Sequence, residues 1–291
     1  MSQTTLTTKP HDEVLILRPT HGWAALNLRD LWIYRELIYF LTWRDVKVRY
    51  KQTALGVTWA IIQPFFTMVV FTIFFGTLAK VPTNGVPAPI FFYTGLLPWG
   101  LFTKAISDAG HSLVMNRSMI TKVYFPRLAI PIGSVLGGLV DFVIAFAVLV
   151  GMILYYNYAP GSTYHITITN LVWTLPLFLL LDIITSLGVG LWLSALNVNY
   201  RDINYILPFL TQFWLFITPI AYPASLIPAK WQLIYSLNPM TGVVEGFRWA
   251  FLGAGTPPSP MLAVSATISV VVLITGLFYF RRMEQTFADM V

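Results

Sequence analysis

The chain contains no cysteine, which excludes a disulfide framework, a thiolate metal site and a cysteine nucleophile. Its four histidines (His11, His21, His111, His165) are scattered, and none stands at the i, i+4 spacing of a helical metal pair. No Gly-Lys dipeptide occurs, so the pattern G-x-x-x-x-G-K-[ST] is absent. ATP hydrolysis through that phosphate-cradling loop is therefore excluded for this chain. Charge is scarce as well: 10% of the 291 residues are Asp, Glu, Lys or Arg, against about 25% in soluble domains. So few charges cannot coat a globule of this size, which excludes a single soluble domain and a disordered chain alike.

What fills the space is apolar. Hydrophobic residues make up 56% of the chain and the mean hydropathy is +0.69, the composition of an integral membrane protein. The opening MSQTTLTTKPHDE is polar and lacks the apolar core of a signal peptide, so the N-terminus is expected to stay mature and cytoplasmic. A crossing helix needs about 20 apolar residues. Six stretches qualify: 54–79, 89–115, 128–155, 169–196, 203–222 and 261–280. Six spans put both termini on one side. That side carries fifteen of the eighteen Lys and Arg residues, and Lys80, Lys230 and Arg248 fall on the other. The positive-inside rule then places both termini in the cytoplasm.

Three segments do not span. Residues 28–51 follow an expected flexible cytoplasmic N-terminus, 1–27, and place Arg29, Glu36, Arg44, Lys47 and Lys51 on one helical face. Leu28, Trp32, Tyr39, Trp43 and Val46 share another, so an amphipathic helix in the cytoplasmic interface is expected. Residues 116–125, NRSMITKVYF, link spans 2 and 3. Asn116 or Ser118 can cap a short helix there, and Pro126 ends it. Residues 223–258 read as two short helices, one started at Pro228 and one with Asn238 as N-cap and Pro239 behind it. Each is too short to cross, so a re-entrant hairpin on the outer side is expected, beside protein or a water-filled cavity. The predicted fold is an all-α membrane protein: an interface helix, a six-span domain over 52–280 and a cytoplasmic tail, 281–291.

Two acids interrupt the apolar runs, Asp141 in span 3 and Asp182 in span 4, at similar depth on consecutive antiparallel helices. Intramembrane acids are costly and mark function or a satisfied cluster. Lys104 in span 2 is close enough in depth to pair with one of them. The expected arrangement is a polar cluster of Lys104, Asp141 and Asp182 locking spans 2, 3 and 4, with a proton relay or a ligand contact as alternatives.

Five stretches carry a family resemblance: RYKQTALGVTWAIIQP, NRSMITKVYFPRLAIPI, SALNVNYRDINYILP, LFITPIAYP and LNPMTGVVEGFRW. With the six-span plan they resemble the permease subunits of type-2 ABC exporters for O-antigen, capsule and teichoic-acid polysaccharides. The resemblance implies a homodimeric channel in the bacterial cytoplasmic (inner) membrane, with two copies of a separate ATPase docked beneath it. ATP and Mg would bind that partner, leaving this chain without a cofactor, without enzymatic activity and with no role for nucleic acid. It implies that 116–125 is the coupling helix, with Asn116, Arg117, Ser118, Ile120 and Lys122, joined by Arg201 and Asp202, at the ATPase. Arg29, Arg44, Arg49 and Lys51 would meet membrane lipids and the pyrophosphate of a lipid-linked polysaccharide, since both are phosphate recognition.

Aromatic residues form 15% of the chain. Bilayer belts and lipid-facing Phe explain most of them. The resemblance puts spans 1 and 5 at the channel, which raises a second reading for Phe65, Phe66, Phe209, Phe213, Trp214 and Phe216: rings on which sugar C–H faces can slide. O-antigen is the first-choice cargo. An ABC permease for a drug or lipid, and a proton-coupled secondary transporter using Asp141 and Asp182, stay open.

Overall fold

Proline and asparagine place several of the helix starts. The structure, a computed structural model, describes residues 28–51, 56–158, 169–200, 202–254, 260–284 and 287, and every regular element among them is helical. Helix α1 (Leu28–Ile33) and α2 (Arg35–Lys51) are separated by a turn at Tyr34. Helix α3 (Gly56–Phe71) runs on as a π-helical stretch, Thr72–Leu78. Then come α4 (Ala88–Met115), α5 (Arg117–Lys122) and α6 (Ala129–Tyr158). A 3-10 turn, Asn170–Thr174, leads into α7 (Leu175–Asn199), followed by α8 (Ile203–Ile217), α9 (Ala229–Tyr235), α10 (Pro239–Leu252) and α11 (Pro260–Glu284). Pro87 and Pro228 precede α4 and α9, and Asn238 caps α10 by accepting the Met240 amide at 3.1 Å.

Four helical stretches among the described residues are long and apolar enough to cross a membrane: Thr58–Leu78, Ala129–Tyr158, Asn170–Asn199 and Pro260–Glu284. The other two expected spans differ from these for physical reasons. Helix α4 is 28 residues long but carries Lys104 and Asp108. It is the central helix, packed on α3, α6, α7 and α10, with Phe91, Phe92, Phe102 and Ile106 wholly buried. A helix wrapped in protein does not need a lipid-grade surface. Helix α8 stops at Ile217, short of the expected 222. Pro219 forces the preceding Thr218 into an extended conformation (φ −86°, ψ 141°), which ends the helix.

Helices here associate through close packing, because lipid offers no hydrophobic gain for bringing them together. The α7–α11 contact depends on Gly188 and Gly276. A Cβ on Gly188 would lie 2.7 Å from the Leu273 backbone nitrogen, and one on Gly276 would lie 2.5 Å from the Gly188 carbonyl oxygen. Thr185 adds a 2.8 Å hydrogen bond to Ser269 across the same seam. Apolar side chains form two main clusters. The larger is built around α4, α6, α7 and α10. The second gathers Leu41, Leu113, Ile120, Phe125, Leu191, Phe280 and Phe287, where α2, α5, α7 and α11 meet the start of α6.

Candidate functional site

Apolar helices that leave polar side chains on one shared face create a cavity. One of about 1360 Å³ lies between α3, α4, α6 and α8, with Arg49 from the last turn of α2 reaching its wall. Its wall includes amide, hydroxyl and indole groups: Gln63 and Thr67 one turn apart on α3, Thr103 on α4, Thr211 and Gln212 on α8, with Trp59 and Trp99. Pro64 and Pro208 also line it. Each lacks an N–H for the helical ladder, a loss tolerated at membrane depth where the backbone borders a cavity. Leu96, Leu97, Leu101, Phe142, Leu207 and Leu215 make much of the remaining wall apolar, and the uncharged polar groups offer a neutral, hydroxyl-bearing ligand several hydrogen-bonding points along it. They can exchange hydrogen bonds as it moves, without holding one pose.

One end of the cavity is charged. Arg49 donates through Nη2 to Asp108 at 2.7 Å and through Nη1 to Asp141, whose other oxygen accepts the Tyr50 hydroxyl. Lys104 stands 3.3 Å from Asp108, one helical turn along α4. Two cations thus face two carboxylates. Burial, and after it the bond to Asp141, pushes the Tyr50 hydroxyl well above its usual range, so it stays a donor. The network fastens the end of α2 to α4 and α6.

This corrects the expected cluster of Lys104, Asp141 and Asp182. Lys104 takes Asp108 on its own helix face, and Arg49, carried in by α2, takes Asp141. Asp182 sits apart on α7, wholly buried, accepting from Ser186 Oγ at 3.1 Å, and its Oδ2 has no hydrogen-bond partner among the described residues. Asp108 and Tyr50 are the members that sequence reasoning passed over. An acid four residues after Lys104 was the available signal.

The six aromatic candidates do not line this cavity. Phe65, Phe66, Phe209, Phe213 and Phe216 are exposed on the outside of the chain. They lie on the same two helices as the lining residues but on different faces. Trp214 packs edge-on to Phe102 and donates its Nε1 to Asn238 at 2.9 Å. Of the basic residues assigned to lipid and pyrophosphate, Arg49 reaches the cavity, Arg44 pairs with the adjacent Asp45 at 2.8 Å, and Lys51 is exposed. The Arg29 side chain lies outside the described residues, as do Arg201 and the segment 1–27. Trp32, Tyr39, Phe40 and Trp43 project outward from α1 and α2, while Leu41 and Val46 are buried inward.

Helix α5 presents Arg117, Ser118 and Lys122 to the surface beside exposed Met115 and Tyr124, and drives Ile120 into the second apolar cluster. Asn116 does not cap α5 with its side chain. It donates back to the Ser112 carbonyl at 2.8 Å, closing the end of α4. Asp202 is exposed at the start of α8, also without a side-chain cap bond.

A further polar site, also unforeseen, fixes the far end of α8. Arg248 on α10 is fully buried. It donates to the carbonyls of Pro219 and Ile220, lies 3.1 Å from Glu245 and sits 3.8 Å from the Phe91 ring centre. Gly95 makes the room: a Cβ there would stand 2.6 Å from Nη2. Asn238 donates to Thr218 at 3.0 Å and accepts from Trp214. The pair of opposite charges three residues apart in VVEGFRW was the sequence signal.

Comparison with known proteins follows the same outline. The sequence model of the ABC-2 type transporter family matches residues 36–252. The O-antigen export system permease protein RfbA of Myxococcus xanthus is 29% identical over 265 residues, covering 90% of this chain and 98% of that protein. An RfbA of Klebsiella pneumoniae is 26% identical, covering 87% of this chain and 94% of its own length. The polysialic acid transport protein KpsM of Escherichia coli is 25% identical, covering 83% and 91% respectively.

Proposed function

Since this chain belongs to the ABC-2 type transporter family, we propose that it is the membrane permease of an ATP-driven polysaccharide exporter, with O-antigen as cargo. The observation that carries this reading is the near end-to-end match to O-antigen export permeases. The cavity adds chemistry to it, because amides, hydroxyls and indole faces are groups on which a sugar chain can slide. The separation of Asp141 from Asp182 favours a channel over a proton-coupled carrier, since one is held by Arg49 and Tyr50 and the other is enclosed against Ser186.

In this reading the chain crosses the cytoplasmic membrane six times, with α4 and α8 completing the four apolar spans. Both termini face the cytoplasm. Helices α1 and α2 lie in the interface with their outward aromatic residues at headgroup level. Helices α9 and α10 form the re-entrant outer segment. Two copies make the channel, and two copies of an ATPase, which hold ATP and Mg, dock on α5. The lipid-linked end of the polymer enters past the basic residues of α2. Reconstitution of the permease with its ATPase in vesicles should give polymer transport that requires ATP. Transport that follows a proton gradient and ignores ATP would sink the proposal. Replacing both Gln63 and Gln212 by Leu should cut transport about thirtyfold while the ATPase stays bound, the loss of two hydrogen bonds at roughly 1 kcal/mol each.

A further inference from the structure

If the motor docks on α5, its push reaches first the two helices that α5 joins, α4 and α6. The structure adds a third. Arg127, just beyond α5, and Glu284, the last residue of α11, hold each other by their main chains. The Arg127 amide donates to Glu284 Oε1 at 3.3 Å, and the Arg127 guanidinium donates to the Glu284 carbonyl. That second bond puts a cation on the carbonyl end of a helix, where the helix dipole favours it. Arg281, one turn back, takes the other Glu284 oxygen at 2.7 Å and orients the carboxylate. Beneath this clamp Ile120 of α5 packs in the same apolar cluster as Phe280 and Phe287, both fully buried and 5.3 Å apart.

We infer that Glu284 is a positioning residue for coupling: the Arg127–Glu284 clamp makes the end of α11 part of the platform that receives the motor. The inference rests on the exporter reading. Through the glycine seam, displacement of α11 is displacement of α7, so the clamp carries the motor's stroke to helices that the α5 loop does not join. Arg127 and Glu284 do not form the α5 surface that would meet the ATPase. Binding and coupling can therefore be separated.

The test uses the reconstituted complex and reads polymer exported per ATP hydrolysed. Glu284→Ala removes the carboxylate that accepts the Arg127 amide and is oriented by Arg281, leaving only the main-chain carbonyl bond, and should lower that ratio about threefold, a typical size for loss of a coupling contact, with ATPase binding unchanged. Glu284→Gln keeps an oxygen for the Arg127 amide and should recover most of the ratio. Arg127→Ala, which removes the reverse bond, should match Glu284→Ala and decides the matter if that variant inserts poorly. An unchanged ratio in both alanine variants overturns the inference. So does parallel loss of binding and export, or a glutamine variant no better than alanine. A second measurement needs no motor. Because the chain lacks cysteine, Thr121→Cys and Arg282→Cys, both exposed, accept two spin labels. Their distance distribution should broaden in Glu284→Ala, and an unchanged width overturns the clamp. A wild-type complex that fails to link export to ATP would instead remove the exporter reading, with the spin labels still deciding the clamp.

Discussion

At the scale of single residues, the costliest position is Arg248. Its charge is wholly enclosed, and its guanidinium satisfies two main-chain carbonyls as well as Glu245. Arg248→Met would leave Glu245 buried opposite an apolar chain, and breaking a buried pair from one side costs about 3–5 kcal/mol. Thermal unfolding of the detergent-solubilised protein should show a large drop, and adding Glu245→Leu should restore part of it. A single variant as stable as wild type would mean that water reaches the pair. Asp141→Asn should do far less damage. Its partner Arg49 keeps Asp108, and the network lies partly open to the cavity, where ion pairs are worth about 1 kcal/mol or less.

At the scale of elements, α5 tests the docking reading. Its six residues keep Arg117 and Lys122 exposed and anchor the helix through Ile120. Reversing both charges should leave the permease inserted, because neither side chain is in the apolar core. It should weaken ATPase binding by at least about tenfold, as attraction becomes like-charge repulsion at an interface. The control is Arg282 alone, which is exposed; Arg281 is bound to Glu284 and would confuse the comparison. Equal loss at Arg282 would mean that bulk cytoplasmic charge is being read. Element starts were legible in the sequence wherever proline or asparagine fixed them, as at Pro228, Asn238 and Pro239. Element ends were less so. The Thr218-Pro219 stop was overlooked, and so was the break at Tyr34, where no proline or glycine marks it.

At the scale of the whole molecule, the all-helical architecture was readable because apolar length and scarce charge are properties of the chain itself. The charged end of the cavity was not. Arg49 meets Asp108 and Asp141 only after α2 has packed on α6, a meeting that no local pattern encodes. That the aromatic candidates lie off this cavity has a related reason: helix periodicity sorts residues into faces without saying which face a neighbour takes. Their exposure supports one more expectation. Phe66 and Val70 on α3, Phe74 on its π-helical continuation, and Phe209, Phe213 and Phe216 on α8 leave two helix faces uncovered by the described residues. A second copy should cover them, so the native mass of the solubilised complex should hold two permeases. A single permease per assembly would refute the dimer.

The glycine seam between α7 and α11 also sets an order of manufacture. The Gly188 backbone is packed by α11, which leaves the ribosome after every other described helix. Until then the nascent protein holds an unfilled groove, with Thr185 deprived of Ser269. A chain cut short before Pro260 keeps that groove for good. Premature termination should therefore yield a membrane product that cellular proteases recognise and clear, and no shortened permease should accumulate to occupy the motor.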